Sequence, residues 1–244
     1  MAIVVLVHGA WHGAWCWERV IPGLVDHGVR TVALDLPGHG ADPGPLADLH
    51  GDVARVRQML DGLDEPALLV GHSYGGAVIT EAGDHPMVDH LVFIAAFALD
   101  AGESCMSAAI NESEVAGISW EGRPNLGDGF VPGTDETVTL DPTIAAQCLF
   151  NDCDNDTVAW AIPRLGPHPL GNLQQEPTAV SWRRKPSTYV VCAEDLAVPP
   201  ELQRVMARRC ASTVEWQTGH SPFLSRPDLV EGLVTEFAGE NVTD

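Results

Sequence analysis

The chain's first apolar run, Ile3-Val4-Val5-Leu6-Val7, has no polar break. Strict alternation would mark a strand with one wet face, whereas an unbroken run marks a strand buried on both faces. Comparable runs recur at 31–34, 67–70, 90–96, 187–192 and 213–216. Segments of helical period lie between them. In 49–63, Val53, Val56, Leu60 and Leu63 recur at three- and four-residue steps. Residues 17–27 read as a helix closed by Gly28, and 199–209 and 228–237 read as two more. Residues 37–45 hold three prolines and three glycines and read as a loop. Strands alternating with helices predict an α/β fold with a doubly wound, mainly parallel sheet.

The alternation stops at 98–185, a stretch far longer than an ordinary connection. It carries helix-like segments at 142–150 and 154–162 and the aromatics Trp120, Phe130, Phe150, Trp160 and Trp182. The expected organisation is therefore a core of 1–97 and 186–244 with 98–185 inserted as a cap.

The most specific local pattern is Gly71-His72-Ser73-Tyr74-Gly75, set between an apolar strand and a small-residue helix start. Glycines on either side permit a sharp turn with the serine at its apex. A serine hydroxyl needs a neutral imidazole as base, and the imidazole needs a carboxylate to fix its tautomer. Of ten histidines, His220 follows the last strand on the loop Gln217–Pro222 and is the candidate base. Asp195, after the strand at 187–192, is the candidate acid; Asp100, after the preceding strand, is its rival, and Glu194 is adjacent. Two N–H donors are needed for an oxyanion, and Tyr74 and Ala10 are the candidates. Ser221 repeats the Gly-His-Ser tripeptide, but Pro222 behind it has no N–H and no glycine follows at plus two, so it is not a second elbow. His72 reads as structural. His8 and His12 have a metal-like spacing on a glycine-rich loop instead of a helix, so no metal is expected. Trp11, His12, Trp120, Phe130 and Trp160 are the candidate substrate-binding residues.

Composition narrows the partners. A net charge of −21 argues against nucleic acid and anionic membranes. No apolar run approaches a membrane span, and six cysteines without a C-x-x-C pair read as reduced thiols. No secretion signal is read after Met1, so a cytoplasmic location is expected. A homodimer is compatible with the sequence.

These stretches resemble the α/β-hydrolase branch that holds plant methylesterases, plant hydroxynitrile lyases and related bacterial esterases. The likeness rests on His8-Gly9-Ala10 with 12–17, the elbow at 71–76, Phe93–Phe97, Leu149–Cys153, Tyr189–Asp195 and Gly219-His220. It implies a Ser73–Asp195–His220 triad with Ala10 and Tyr74 as oxyanion donors, and no cofactor. The lyases carry a threonine in the first loop and a lysine after the histidine, where this chain has Gly9 and Ser221. The resemblance thus implies hydrolysis of carboxylic esters through an acyl-enzyme; the aromatic cap suggests small to medium esters, and a histidine that must be neutral to act as base predicts activity rising from roughly pH 6 to 8. Cyanohydrin cleavage, or ligand binding with little turnover, is the alternative.

Overall fold

The computed structural model describes residues 2–119 and 121–240. The strands are β1 (Ile3–Val7), β2 (Thr31–Leu34), β3 (Ala67–His72), β4 (Val88–Ile94), β5 (Phe130–Pro132), β6 (Thr137–Leu140), β7 (His168–Pro169), β8 (Ser187–Cys192) and β9 (Ser212–Trp216). The helices are α1 (Ile21–Asp26), α2 (Leu49–Asp61), α3 (Gly75–Ala82), α4 (Cys105–Val115), α5 (Pro142–Leu149), α6 (Asn155–Ala161), α7 (Pro200–Ala207), α8 (Pro222–Ser225) and α9 (Pro227–Glu240). Six strands form one sheet in the order β2-β1-β3-β4-β8-β9, and every pairing in it is parallel.

The unbroken apolar runs now have a physical reason. Ile3, Val5 and Val7 enter one core, with Leu69, Phe93 and the apolar faces of α2, α3 and α7. Val4 and Leu6 enter the other, with Val70, Ile94 and α1 and α9. Successive side chains point to opposite faces, so a sheet covered on both sides needs apolar residues at every position. The chain winds from β1 outward to β2 and returns to β3, which opens a crevice at the carboxyl ends of the strands.

Two elements differ from the sequence reading. The helix expected over 17–27 is a 3-10 turn at Ala14–Trp17 followed by α1, because Pro22 starts a new helical turn and cannot donate back into an earlier one. Gly28 closes α1 at φ +74°, the left-handed conformation expected of it. Between β4 and β8 the chain forms α4 to α6 and a separate antiparallel sheet, β5-β6-β7. Neither α4 nor this sheet was read from the sequence.

Candidate active site

Four loops converge at the carboxyl edge of the sheet, after β1, β3, β8 and β9. After β3 the chain turns so tightly that Ser73 takes φ +53°. A left-handed conformation costs a residue with a Cβ about 1–2 kcal/mol, so the surroundings must enforce it. They do: Ser73 N–H donates to Ile94 O at 3.2 Å, and Ser73 O accepts from Gly76 and Phe97 N–H at 2.9 and 3.1 Å. A Cβ on Gly71 would stand 2.7 Å from Gly75 O, and one on Gly75 2.6 Å from His8 O. Only glycine lets β1, β3 and α3 approach this closely.

Asp195 and His220 are buried together, with Asp195 Oδ2 2.7 Å from His220 Nδ1. The carboxylate is held from other sides as well. Its Oδ1 accepts from Ala197 and Val198 N–H at 2.7 and 2.9 Å, and Oδ2 accepts from Gln203 Nε2 at 2.8 Å. With Nδ1 donating to Asp195, the other ring nitrogen of His220 carries the lone pair. The imidazole's backbone is fixed too. His72 Nε2 donates to His220 O at 2.9 Å, and Gly219 N–H donates to Asp152 Oδ2 at 2.7 Å. The rival acid Asp100 is committed to an ion pair with Arg183, and Glu194 is exposed.

Ala10, Ser73 and Tyr74 line one cavity of about 550 Å³. Its walls are mainly apolar, from Phe97 and Leu202 in the core and Met106, Ile110, Leu126 and Phe130 in the insertion. Among the candidate binding residues, Trp11 and Phe130 line this cavity. Trp11 sits at φ +63°, its indole N–H donating to Val138 O at 3.0 Å and its carbonyl accepting from Gly166 N–H at 2.8 Å. His12 and Trp160 do not line it. His12 Nδ1 donates back to Ala10 O at 2.8 Å, and its ring stacks on Trp15 and meets Phe150 and Phe223 edge-on. Trp160 packs on Trp15 and lies under the Arg164 guanidinium at 4.3 Å. Trp120 lies outside the described residues.

The surroundings are rich in buried histidine. Burial is the leading cause that lowers the pKa of His8, His72 and His168 well below the ordinary value, and it brings His12 to about 4. Neighbouring imidazoles push the same way. Behind Tyr74, burial raises the Asp52 carboxyl to about 7 against the opposing hydrogen bonds from Tyr74 and Asn172. Among the described residues, no group of three or more His, Cys, Asp or Glu side chains could hold a metal ion. None of their helices is long and apolar enough to cross a membrane.

Several residues that shape this site were not singled out in the sequence. Asn151, Asp152, Asp52 and Asn172 act through contacts between distant segments, whereas Gln203 braces Asp195 from eight residues further on. The one local hint is Gln203, one turn into the helix that follows Pro199-Pro200.

The model of the Alpha/beta hydrolase family matches residues 4–233. The chain belongs to that family. This hydrolase is 30% identical to "Alpha/beta hydrolase nvfD" of Aspergillus novofumigatus, over 98% of this chain and 97% of that one. It is 28% identical to "Methylesterase 9" of Arabidopsis thaliana, over 91% and 93%. The crystal structure of polyneuridine aldehyde esterase superposes with a TM-score of 0.82 at 23% identity, covering 98% of this chain and 99% of that one. The two esterase-named proteins agree with the branch that the sequence resembles, and the structural match carries the fold.

Proposed function

We propose that this hydrolase is a serine carboxylesterase. Ser73 is the nucleophile, His220 its general base, and Asp195 the group that fixes the tautomer of His220 and stabilises the imidazolium. Tyr74 and Ala10 N–H receive the oxyanion, and 98–185 serves as the cap over the acyl or alcohol group. The observation that carries the reading is the Asp195–His220 pair. A buried carboxylate with three further donors presents one oxygen to Nδ1 and leaves the opposite nitrogen free to take a proton.

The steps follow from that arrangement. Ser73 Oγ attacks the ester carbonyl as its proton passes to His220. The tetrahedral intermediate collapses when His220 returns the proton to the leaving alcohol. Water, deprotonated by the same imidazole, cleaves the acyl-enzyme and regenerates Ser73. An apolar cavity of about 550 Å³ suits small to medium esters with an apolar part. Ser221 behind the histidine brings no cation, so nothing supports capture of a leaving cyanide.

The test is hydrolysis of p-nitrophenyl esters from acetate to octanoate by the wild type and Ser73→Ala. We expect turnover that peaks at a short or medium chain and falls by at least about 10³-fold in the variant. Folded wild type with no turnover across the series refutes the esterase reading.

A further inference from the structure

Tyr74 carries more than the backbone N–H assigned to the oxyanion. Its side chain is 1% exposed, and its hydroxyl turns away to donate to Asp52 Oδ2 at 2.6 Å. Asn172 Nδ2 lies 3.2 Å from that same carboxylate oxygen and 3.2 Å from the tyrosine hydroxyl. The amide also donates to Ala47 O at 2.9 Å. Three segments distant in sequence thus meet at one phenol: α2 of the core, the elbow itself, and the turn Leu170–Leu173 of the insertion.

This arrangement is costly where it stands. Asp52 is fully buried, and its Oδ1 has no hydrogen-bond partner among the described residues. A buried carboxyl with half its acceptor capacity unmet opposes folding, and a leucine would pack against the same core without that cost. What the carboxyl does provide is a fixed anchor for the side chain of Tyr74, one bond from Ser73. Hydrogen-bond donors for an oxyanion are effective only when their direction is set before the reaction. A misplacement of about 1 Å can cost about 10²-fold.

We propose that Asp52 and Asn172 are positioning residues for the oxyanion site: through the Tyr74 hydroxyl they fix the peptide N–H that follows the nucleophile. The proposal rests on the serine-nucleophile reading above. It also distinguishes two roles for the insertion. Leu173 lines the cavity, so its loss of place would alter substrate affinity. Asn172, its neighbour, points behind the elbow and governs the chemical step instead.

The experiment compares wild type with Tyr74→Phe, Asp52→Asn, Asp52→Ala and Asn172→Ala. Circular dichroism melts establish folding. The kinetic parameters kcat and KM are measured on p-nitrophenyl butyrate. The second-order rate of Ser73 labelling by an alkyl fluorophosphonate is followed by intact mass. That reagent also develops charge on an oxygen in the same site, and it needs no turnover. Tyr74→Phe and Asp52→Asn should lower kcat and the labelling rate together by roughly tenfold, with KM within about twofold. Asp52→Ala should lose more than the shape-conserving Asp52→Asn. Folded Tyr74→Phe and Asp52→Asn that label at the wild-type rate overturn the proposal. So does a loss confined to KM, or one that tracks the unfolded fraction. Wild type that labels at Ser73 but hydrolyses no ester refutes the esterase reading alone, and the labelling rates still decide the positioning role. Wild type that takes no label removes both.

Discussion

Acidification from pH 7 to pH 5 should destabilise this protein more than its surface charges would suggest. His8, His12, His72 and His168 are buried and neutral, with pKa values lowered from 6.5, His12 to about 4. The unfolded chain takes up these protons as pH falls through 6.5, and the native state does not. Stability is therefore lost as pH falls from the unfolded value toward the folded ones. His12, brought to about 4, costs about 2 kcal/mol between pH 7 and 5, and His8, His72 and His168 add to the loss in the same direction. Asp52 has the opposite sign. Its folded pKa is raised from 3.8 to about 7, so the native state binds a proton in this window and the unfolded chain does not. That returns about 2 kcal/mol and offsets His12, so the net loss is set by His8, His72 and His168. His39 and His90 shift in the same direction as the four and add to the loss. Carboxylates with lowered values, such as Asp48 and Asp154, titrate below the window and do not enter it. Urea unfolding at half-unit steps of pH reads the effect. Near pH 5.5 stability should fall with falling pH, showing a net uptake of protons on unfolding at about 1.4 kcal/mol per pH unit for each proton. Asp52→Asn removes the opposing titration and should steepen the slope by about one proton. Stability that holds or rises between pH 7 and 5 would refute the reasoning, because the buried histidines would then not outweigh Asp52.

Two further outcomes follow from the site. Ser73→Gly should unfold at a higher urea concentration than Ser73→Ala, by about 1 kcal/mol, since glycine meets no Cβ penalty at φ +53°; equal midpoints would mean that the elbow holds no strain. Gln203 donates to Asp195 and to Val198 O and accepts from Cys192 N–H, so Gln203→Leu should cost roughly 2–4 kcal/mol and lower kcat; an unchanged unfolding midpoint with unchanged kcat counts against that brace.

The parallel core was legible because burial on two faces writes itself into consecutive residues, as in Ile3–Val7 and Ser187–Cys192. Strand ends then singled out Ser73, Asp195 and His220 as candidates without knowledge of any contact, and the structure pairs Asp195 with His220. The insertion was harder to read. In α4 the run Cys105–Val115 mixes small, apolar and polar residues with little difference between its faces. β7 is two residues long and takes its meaning from pairing with β6, some thirty positions earlier. The Tyr74–Asp52–Asn172 contact joins positions 22, 98 and 120 apart, and no periodicity announces it. His12 was misplaced for a related reason. Its loop lies at the site, but the ring turns inward because a neutral imidazole can donate to Ala10 O and bury its other edge among Trp15, Phe150 and Phe223.

The insertion is fastened to the loops of Asp195 and His220 at its residues 151–152. Asn151 Nδ2 donates to Glu194 O at 2.9 Å, beside Asp195, and Asp152 accepts from Gly219 N–H beside His220 and from the Ser225 hydroxyl at 2.7 Å. The segment over the cavity and the segment that braces His220 are therefore one piece of chain. Such a piece is not an interchangeable part. An insertion transplanted from a relative to change the pocket would also replace the struts under His220, so with His220 as the proposed base altered substrate range would come coupled to altered kcat. Laboratory recombination gains freedom here by cutting inside the insertion, leaving 149–153 with the core and exchanging only the walls around Met106, Leu126 and Phe130.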